Sequence, residues 1–305
     1  MTIQIVEFAD GHLKVVAELL NEEYKGSQEF IPFSEERILT EIRRRHLKIL
    51  VAEENDKVLG LVATHSHEDF EEHVTWLTAL KGSQQQVIEN TLMDEFERKV
   101  KANTIILMID EKDSRIPAWV KRGYTLEPGF QQMTAKLYGV RPIPKVGENV
   151  KLRTLGKDEE KEFVEAVNAG FGHKRLEMGD LETWKSVDPP FDEDWVQVAE
   201  IDRRLVYIVV AKPDTDSVKY LNLKRGYLGP AATLSEFRNM HLASALTAQA
   251  MNYLFEKGMD SVRLGTSETN VSSNALLRNL GFQTKDVRKI LRKKLNNAPQ
   301  TEMTH

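Results

Sequence analysis

The sequence lacks cysteine altogether. This absence excludes disulfide bonds, thiolate metal sites and a cysteine nucleophile, and we expect a protein of the reducing cytoplasm. An excess of positive charge is also missing, because 42 Lys and Arg stand against 47 Asp and Glu for a net charge of −5. A protein that coats nucleic acid is usually basic, so we expect no nucleic-acid partner.

Long hydrophobic runs are absent as well. No window approaches the roughly 18 apolar residues that cross a bilayer, so we expect no membrane partner. The start of the chain, Met1–Glu7, has neither a basic region nor a long apolar stretch, so no signal peptide is predicted. What the chain does contain is 41% hydrophobic residues over 305 positions, enough for two globular domains.

An internal repeat divides the chain. Ile49–Glu53 recurs as Val196–Glu200, 147 residues later, and each copy runs through a polar turn into a second apolar segment. The repeat predicts two equivalent domains, 1–140 and 150–297, joined by a proline-containing linker at 141–149. Strands alternate with amphipathic helices in both, which favours an α/β or α+β fold. We expect the polar tail 298–305 to be disordered.

The most informative stretch is Tyr227–Leu246. An apolar strand ends at a polar turn, and a helix begins around Asn239. The amides of a first helical turn have no partner within the helix and carry the positive end of its dipole, so they bind anions such as a pyrophosphate. Arg238 adds a fixed charge there, although a solvated arginine at a helix start is an equal interpretation.

A second stretch, Thr269–Phe282, follows the next buried strand. Asn270 comes directly after that strand, where its amide could bond an extended amide ligand or serve only the local fold. Ser273 or Asn274 is a candidate helix cap, and Gly281 fits the end of the short helix. For Asn274 the favoured interpretation is capping and packing.

These two stretches together resemble the GNAT (GCN5-related N-acetyltransferase) superfamily. Arg238–Ala243 resembles its Arg/Gln-x-x-Gly-x-Gly/Ala pattern, and Asn270 and the Gly281-Phe282 pair follow in the family's order. The duplication, with the motif in the second copy alone, is similar to double-domain acetyltransferases of the mycothiol synthase type. The resemblance implies two tandem GNAT-like domains, each with a mixed, mostly antiparallel twisted sheet flanked by helices.

The resemblance also implies a function. We expect an acyl-CoA-dependent N-acyltransferase without a metal, using acetyl-CoA in the second domain and passing the acyl group directly to the amine of a small or peptide-like acceptor. A backbone amide near Thr233 would polarise the acyl carbonyl. The alternative is a non-catalytic CoA-binding sensor or scaffold. The residues expected to contact the cofactor are Ala231, Ala232, Thr233, Arg238, Asn239, Met240, His241, Leu242, Ala243, Asn270 and Asn274.

Three positions depart from the family's pattern. His241 stands where Gly is most frequent, with its imidazole either turned outward or adding charge beside a phosphate. Leu277 replaces a tyrosine that often acts as general acid, and Tyr227 replaces a carboxylate that often acts as general base. Glu268 and, less favoured, Glu200 are substitute carboxylates. The catalytic candidates are therefore Glu268 and Tyr227.

The first domain lacks the motif. Glu89 falls where Ala243 lies in the second copy, and a carboxylate there repels a pyrophosphate, so we predict that this domain binds no acyl-CoA. It would serve as a scaffold or as one wall of the acceptor cleft, in a monomer or homodimer.

Two charged segments bear on the partners. Acidic residues of the expected acceptor loop favour a cationic acceptor; they are Asp188, Asp192, Glu193 and Asp194. A basic run at 285–294 fits a solvated edge strand, or else a site for an RNA or protein.

Overall fold

The computed structural model describes residues 2–27, 29–67, 70–185 and 191–295. The chain forms two compact units. Unit 1 is Met1–Gly129 with the final strand from Arg288, and unit 2 is Phe130–Val287. The tail expected to be disordered, 298–305, lies outside the described residues.

Unit 1 has one six-stranded sheet with helices on both faces. Its elements are β1 (Gln4–Glu7), α1 (Leu13–Tyr24), α2 (Glu35–Arg45), β2 (Lys48–Glu54), β3 (Lys57–His67), β4 (Glu71–Ala79), α3 (Gln85–Lys99), β5 (Thr104–Asp110), α4 (Ile116–Lys121) and the start of β6 (Thr125–Lys136). The strand order is β1-β2-β3-β4-β5 followed by the last strand of the chain, β12 (Gln283–Lys294). Neighbouring strands are antiparallel except β4 and β5, which are parallel.

Unit 2 repeats this plan. Its elements are the rest of β6, then β7 (Lys151–Thr154), α5 (Glu160–Phe171), α6 (Asp180–Lys185), β8 (Val196–Ile201), β9 (Arg204–Pro213), α7 (Thr215–Leu221), β10 (Arg225–Thr233), α8 (Leu242–Glu256), β11 (Ser261–Ser267) and α9 (Val271–Asn279). The order is β6-β11-β10-β9-β8-β7, and β10 and β11 are the parallel pair. The predicted fold class is confirmed, and α7 is an element that the sequence analysis did not predict.

The repeat is visible in the turns and in the cores. Asn55-Asp56 and Asp202-Arg203 both have positive φ, which makes β2-β3 and β8-β9 hairpins with the type I′ turn that matches strand twist. Val16 on α1 and Phe163 on α5, 147 residues apart, are both fully buried in the core of their unit. In each unit a second apolar cluster lies on the other sheet face, beneath α3 or α8.

The last strand of each sequence half belongs to the other unit. Residues Phe130–Lys136 of β6 pair with β11, and Arg288–Lys294 of β12 pair with β5. The compact units therefore differ from the halves 1–140 and 150–297 by an exchange of these strands. Periodicity identifies a strand, but its partner is a non-local choice that two similar sheet edges leave open.

The segment between the halves packs on unit 2. The backbone amide of Arg141 donates to Oδ1 of Asn252 on α8, and Nδ2 of Asn252 donates back to the Arg141 carbonyl, each at 2.9 Å. The Arg141 guanidinium donates to the carbonyl of Leu280 at 2.9 Å. This stretch is irregular, as its prolines predict, but it is fixed to α8.

Candidate active site

Two parallel strands of unit 2 separate part-way along their length. β10 and β11 pair from Arg225↔Ser261 to Tyr227↔Arg263. β10 then continues to Thr233 beside β9, and β11 continues to Ser267 beside β6. The result is a V-shaped gap between β10 and β11, which we call the unit 2 fork, with its vertex at Tyr227 and Arg263.

The β10 edge of this fork presents backbone groups to the gap. The amide of Leu234 donates to the Val206 carbonyl at 3.0 Å. Leu234 and Val206 are therefore a hydrogen-bonded pair of the β9-β10 ladder. Hydrogen-bonded and non-hydrogen-bonded pairs alternate in antiparallel ladders. The amides and carbonyls of Ala231 and Thr233 therefore point away from β9 and into the fork, as a short unfilled strand edge.

The start of α8 lies where β10 ends. Asn239 and His241 have positive φ values of 66° and 58°, which bend the chain into a concave loop before the helix. The first helical bond runs from the Ala245 amide to the His241 carbonyl, so the amides of residues 242–244 have no partner within the helix. No side chain caps this end and no acidic residue lies in its first turn.

The residues of this loop that are expected to contact the cofactor differ in the exposure of their side chains. Arg238, Asn239, Met240 and His241 are exposed, whereas the Leu242 side chain is buried in the core. Leu242 and Ala243 can therefore contribute only backbone groups. The left-handed φ of His241 explains why glycine is common at this position, and the imidazole is turned outward to solvent.

The two asparagines of α9 differ in role. Asn270 is the N-cap, with its Oδ1 accepting from the Ser273 amide at 3.1 Å, and it is exposed. Asn274 is buried, and its Nδ2 donates to the carbonyls of Ser267 and Glu268 while its Oδ1 accepts from Gln131 at 2.8 Å. The structure thus gives Asn274 a packing role, and we do not assign it to cofactor binding.

Comparison with known proteins identifies this region. Residues 157–282 match the model of the acetyltransferase (GNAT) family. That segment contains the fork, the α8 loop and α9. Unit 2 therefore resembles an acetyltransferase domain of the GNAT family.

Solved structures share the fold over the whole chain. A GCN5-related N-acetyltransferase from Sphaerobacter thermophilus has 17% identity over 97% of this chain and 96% of its own, with a TM-score of 0.72. A tandem GNAT protein from the clavulanic acid biosynthesis pathway has 16% identity over 98% and 99%, with a TM-score of 0.67. A glucosamine N-acetyltransferase region of a fungal multi-domain β-N-acetylglucosaminidase has 15% identity over 95% of this chain and 38% of its own, with a TM-score of 0.74. A search of curated proteins found no match.

The two catalytic candidates of unit 2 lie far apart. Tyr227 is at the vertex of the fork, and Glu268 follows the end of β11, five residues beyond Arg263. At about 3.3 Å per residue, that is roughly 16 Å along the strand. The structure therefore does not bring Glu268 and Tyr227 together.

The other positions named from the family pattern have structural roles. Glu200 accepts from Arg153 at 2.7 Å across the β7-β8 strand pair, away from the fork. Its repeat partner Glu53 contacts His12 at 3.0 Å. Leu277 is buried in the α8-side core, so it replaces the family's tyrosine with an apolar contact.

Unit 1 also has a fork, but its own side chains fill it. β4 and β5 pair from Glu71↔Thr104 to Val74↔Leu107 and then separate. Arg115, just before α4, forms ion pairs with Glu89 (3.3 Å), Glu23 (3.0 Å) and Asp113 (2.8 Å), and Lys81 contacts Glu23 at 3.0 Å. We call these five residues the unit 1 plug.

The plug contains two buried carboxylates. Glu89 and Glu23 are among its most buried side chains, at 2% and 8% exposure. Hydrogen bonds to Asp113 and the surrounding carboxylates raise the pKa of Arg115, against the opposing effect of burial. Although burial acts the other way, hydrogen bonds from Arg115 lower the pKa of Asp113. Glu89 is the fifth residue of α3, so the plug places a buried carboxylate close to the start of that helix.

Two residues of the basic run near the C-terminus form ion pairs within unit 1. Arg292 contacts Glu71 at 2.8 Å and Glu127 at 3.1 Å, and Lys293 contacts Glu97 at 2.6 Å. The run forms a strand, β12, but this strand lies between β5 and β6 in the strand order, so the expectation of an edge strand was wrong.

Metal and membrane sites were also sought. Among the described residues, no group of three or more His, Asp and Glu side chains is placed to hold a metal ion. No helix in the described ranges combines the length and apolar character that a bilayer crossing requires.

Proposed function

We propose that unit 2 is an acetyl-CoA-dependent N-acetyltransferase that passes the acetyl group directly to an amine. The observation that carries this proposal is the open fork between β10 and β11 together with the uncapped start of α8. A thiol-terminated amide chain fits the first, and a diphosphate fits the second.

The diphosphate would rest on the α8 loop. The amides of residues 242–244 point out of the helix end, where the helix dipole favours negative charge. Arg238 is exposed beside them and has no ion-pair partner among the described residues. A guanidinium in this position supplies the fixed charge that the backbone alone lacks.

The pantetheine arm would lie along β10 as an added strand. Ala231 and Thr233 offer the alternating amides and carbonyls that an amide chain can pair with. The side chain of Ala232, between them, points to α5 and packs closely on Gly170. A Cβ added to Gly170 would lie 2.8 Å from the Ala232 Cβ. Asn270, at the start of α9 on the β11 side of the fork, would contact the arm.

The transfer would occur near the vertex. The amine attacks the thioester carbonyl carbon, the C–S bond breaks, the amine loses a proton and the CoA thiolate takes one up. A backbone amide on β10 would polarise the carbonyl oxygen. Tyr227 is the hydroxyl at the vertex, and we assign it the proton for the departing thiolate.

Calorimetry with acetyl-CoA tests the binding site. Arg238→Ala should weaken binding about 10-fold, or about 1.4 kcal/mol. Lys161→Ala is the matched control, because it removes one charge from an exposed position on α5. Binding weaker than millimolar by the intact protein would contradict the proposal.

A non-catalytic CoA-binding protein is the second candidate. It is favoured by the separation of Glu268 from the vertex, which leaves no carboxylate base at the positions that the sequence suggested. Release of free thiol from acetyl-CoA in the presence of an amine panel distinguishes the two. The fungal neighbour named above acts on glucosamine, so that amine belongs in the panel.

A further inference from the structure

A row of four side chains crosses unit 2 at the vertex of the fork. Lys212 of β9 pairs with Tyr227 of β10, Tyr227 pairs with Arg263 of β11, and Arg263 pairs with Thr134 of β6. Directly paired residues point to the same face of a sheet. The row is therefore continuous across four strands, and its centre is the last pair before β10 and β11 separate.

The row lies on the α5 face but beyond the cover of α5. Ile208 and Val210, which alternate with Lys212 on the same side of β9, belong to the core under α5. Lys212 itself is exposed, and the Arg263 side chain keeps 27% exposure. The neighbouring Gly265 is exposed, and a Cβ added to it would meet no atom within 4 Å.

The row carries an excess of positive charge. Asp214 is a single carboxylate shared by two guanidiniums, Arg225 at 3.0 Å and Arg263 at 2.6 Å. Lys212 has no carboxylate partner among the described residues. Lys212 and the two guanidiniums thus bring three positive charges to the vertex, against the one carboxylate of Asp214.

The acidic residues that suggested a cationic acceptor lie just before β8, the strand next to β9. Burial, with smaller contributions from the charges of Asp192 and Asp194, raises the pKa of Tyr253 on α8 to about 12. Glu193 is paired with Lys185 at 3.1 Å. Asp188 lies outside the described residues. Among the described residues, none of the other three carboxylates forms an ion pair with Lys212 or Arg263.

We propose that the acceptor of unit 2 is a small amine that also carries an anionic group, a carboxylate or a phosphate, held by Lys212 and Arg263 beside the vertex. This inference rests on the proposed acetyl transfer. Adjacent strands lie about 4.8 Å apart, so Lys212 and Arg263 flank Tyr227 at about 10 Å from each other. An anionic group between them leaves an amine a few bonds away within reach of the thioester.

Steady-state thiol release from acetyl-CoA tests the acceptor class with matched amines. One arm compares L-alanine with L-alaninamide, a second compares phosphoethanolamine with ethanolamine, and a third uses glucosamine. We expect at least 10-fold higher kcat/KM for the anionic member of one of the first two pairs, and the pair that shows it identifies the anion.

Variants at the exposed end of the row make the test specific. Lys212→Met should reduce the preference for the anionic amine about 10-fold through KM, and Lys212→Glu should reverse it. Lys161→Met, which removes an equal charge from the solvent side of α5, should leave the preference unchanged. Calorimetric affinity for acetyl-CoA should stay within two-fold in all three variants.

The failures are distinguishable. Transfer to L-alaninamide, ethanolamine or glucosamine at equal or higher efficiency overturns the inference and leaves the acetyltransferase proposal standing. Equal effects of Lys212→Met and Lys161→Met on the preference also overturn it. Absence of both acetyl-CoA binding and thiol release overturns the proposed function and, with it, this inference.

Discussion

Units 1 and 2 form the same fork and differ in what occupies it. In unit 2 the strands separate after Tyr227 and Arg263, and in unit 1 they separate after Val74 and Leu107. Both gaps open towards the start of the following long helix. A separated pair of parallel strands is therefore a property of the repeated fold, and by itself it does not indicate a ligand.

The repeat shows which substitutions fill the first fork. Glu23 of unit 1 lies 147 residues before Gly170, and Arg115 occupies the position just before α4 that Asn270 occupies before α9. Gly170 has no room for a side chain against β10, whereas Glu23 extends a carboxylate to Arg115. Internal ion pairs thus lie at these positions in unit 1, whereas unit 2 has small or neutral residues there.

The largest effect on stability is expected from replacing Arg115, the central residue of the plug. Arg115→Ala leaves the buried carboxylates of Glu23 and Glu89 without their shared cation, so we expect a loss of about 3–5 kcal/mol in the free energy of unfolding. Urea unfolding measures it. Arg98→Ala, which breaks the exposed pair with Glu95, is the control and should have a much smaller effect. Equal losses would show that the plug is not a buried network.

A carboxylate can also be introduced at the start of α8 in unit 2. Ala243→Glu places a carboxylate in the first turn of α8, and repulsion of the diphosphate should weaken acetyl-CoA binding about 100-fold, or about 2.8 kcal/mol. Ala243→Gln has a similar size without the charge and should have a much smaller effect. Calorimetry on both variants separates charge from bulk, and equal losses would refute the electrostatic account of the first unit.

Acid should weaken the plug. The pKa of Asp113 is lowered from 3.8, with burial opposing the shift and Arg115 causing it. A carboxyl with a lowered folded pKa stabilises the protein above its unfolded pKa, and that contribution is lost as pH falls through the folded value. The stability difference between the wild type and Asp113→Asn should therefore be constant from pH 7 to 5 and shrink below about pH 3.8. Urea unfolding as a function of pH follows it, and a difference that grows in acid would contradict the assignment.

The smallest expected effect is at His241. Its left-handed φ of 58° is strained for a residue with a Cβ and suits glycine. His241→Gly should raise the free energy of unfolding by about 0.5–1 kcal/mol and leave acetyl-CoA affinity no weaker, because the imidazole faces solvent. Thermal unfolding and calorimetry test the two parts. Weaker binding in this variant would show that the imidazole holds the diphosphate.

Much of the candidate site follows from residues close together in the sequence. Arg238 and His241 lie at the start of a helix because an apolar strand, a polar turn and an apolar helix succeed one another there. Glu89 marks the first copy as different for the same reason. These are predictions about single elements, and the structure places the elements as expected.

Residues whose neighbours are far away in the sequence could not be identified from local patterns. Lys212 and Arg263 lie next to Tyr227 only through strand register, and Glu23 meets Arg115 only after α1 packs on the sheet. The 147-residue offset that aligns Tyr24 with Phe171 also aligns Glu23 with Gly170, and that pairing was the available signal. Asn274 and Glu268 were selected by position along the chain, and register gives the first a packing role and puts the second about 16 Å beyond the vertex.

The sequence alone determined that this protein is a duplicated α/β fold with a helix start suited to an anion in its second copy, because periodicity, turns and helix ends depend on neighbouring residues. The tertiary structure decided the exchange of β6 and β12, the plug around Arg115 and the charged row at the fork. Each of these joins residues that are far apart in the chain, and hydrogen-bond register and side-chain packing, which no local pattern encodes, bring them together.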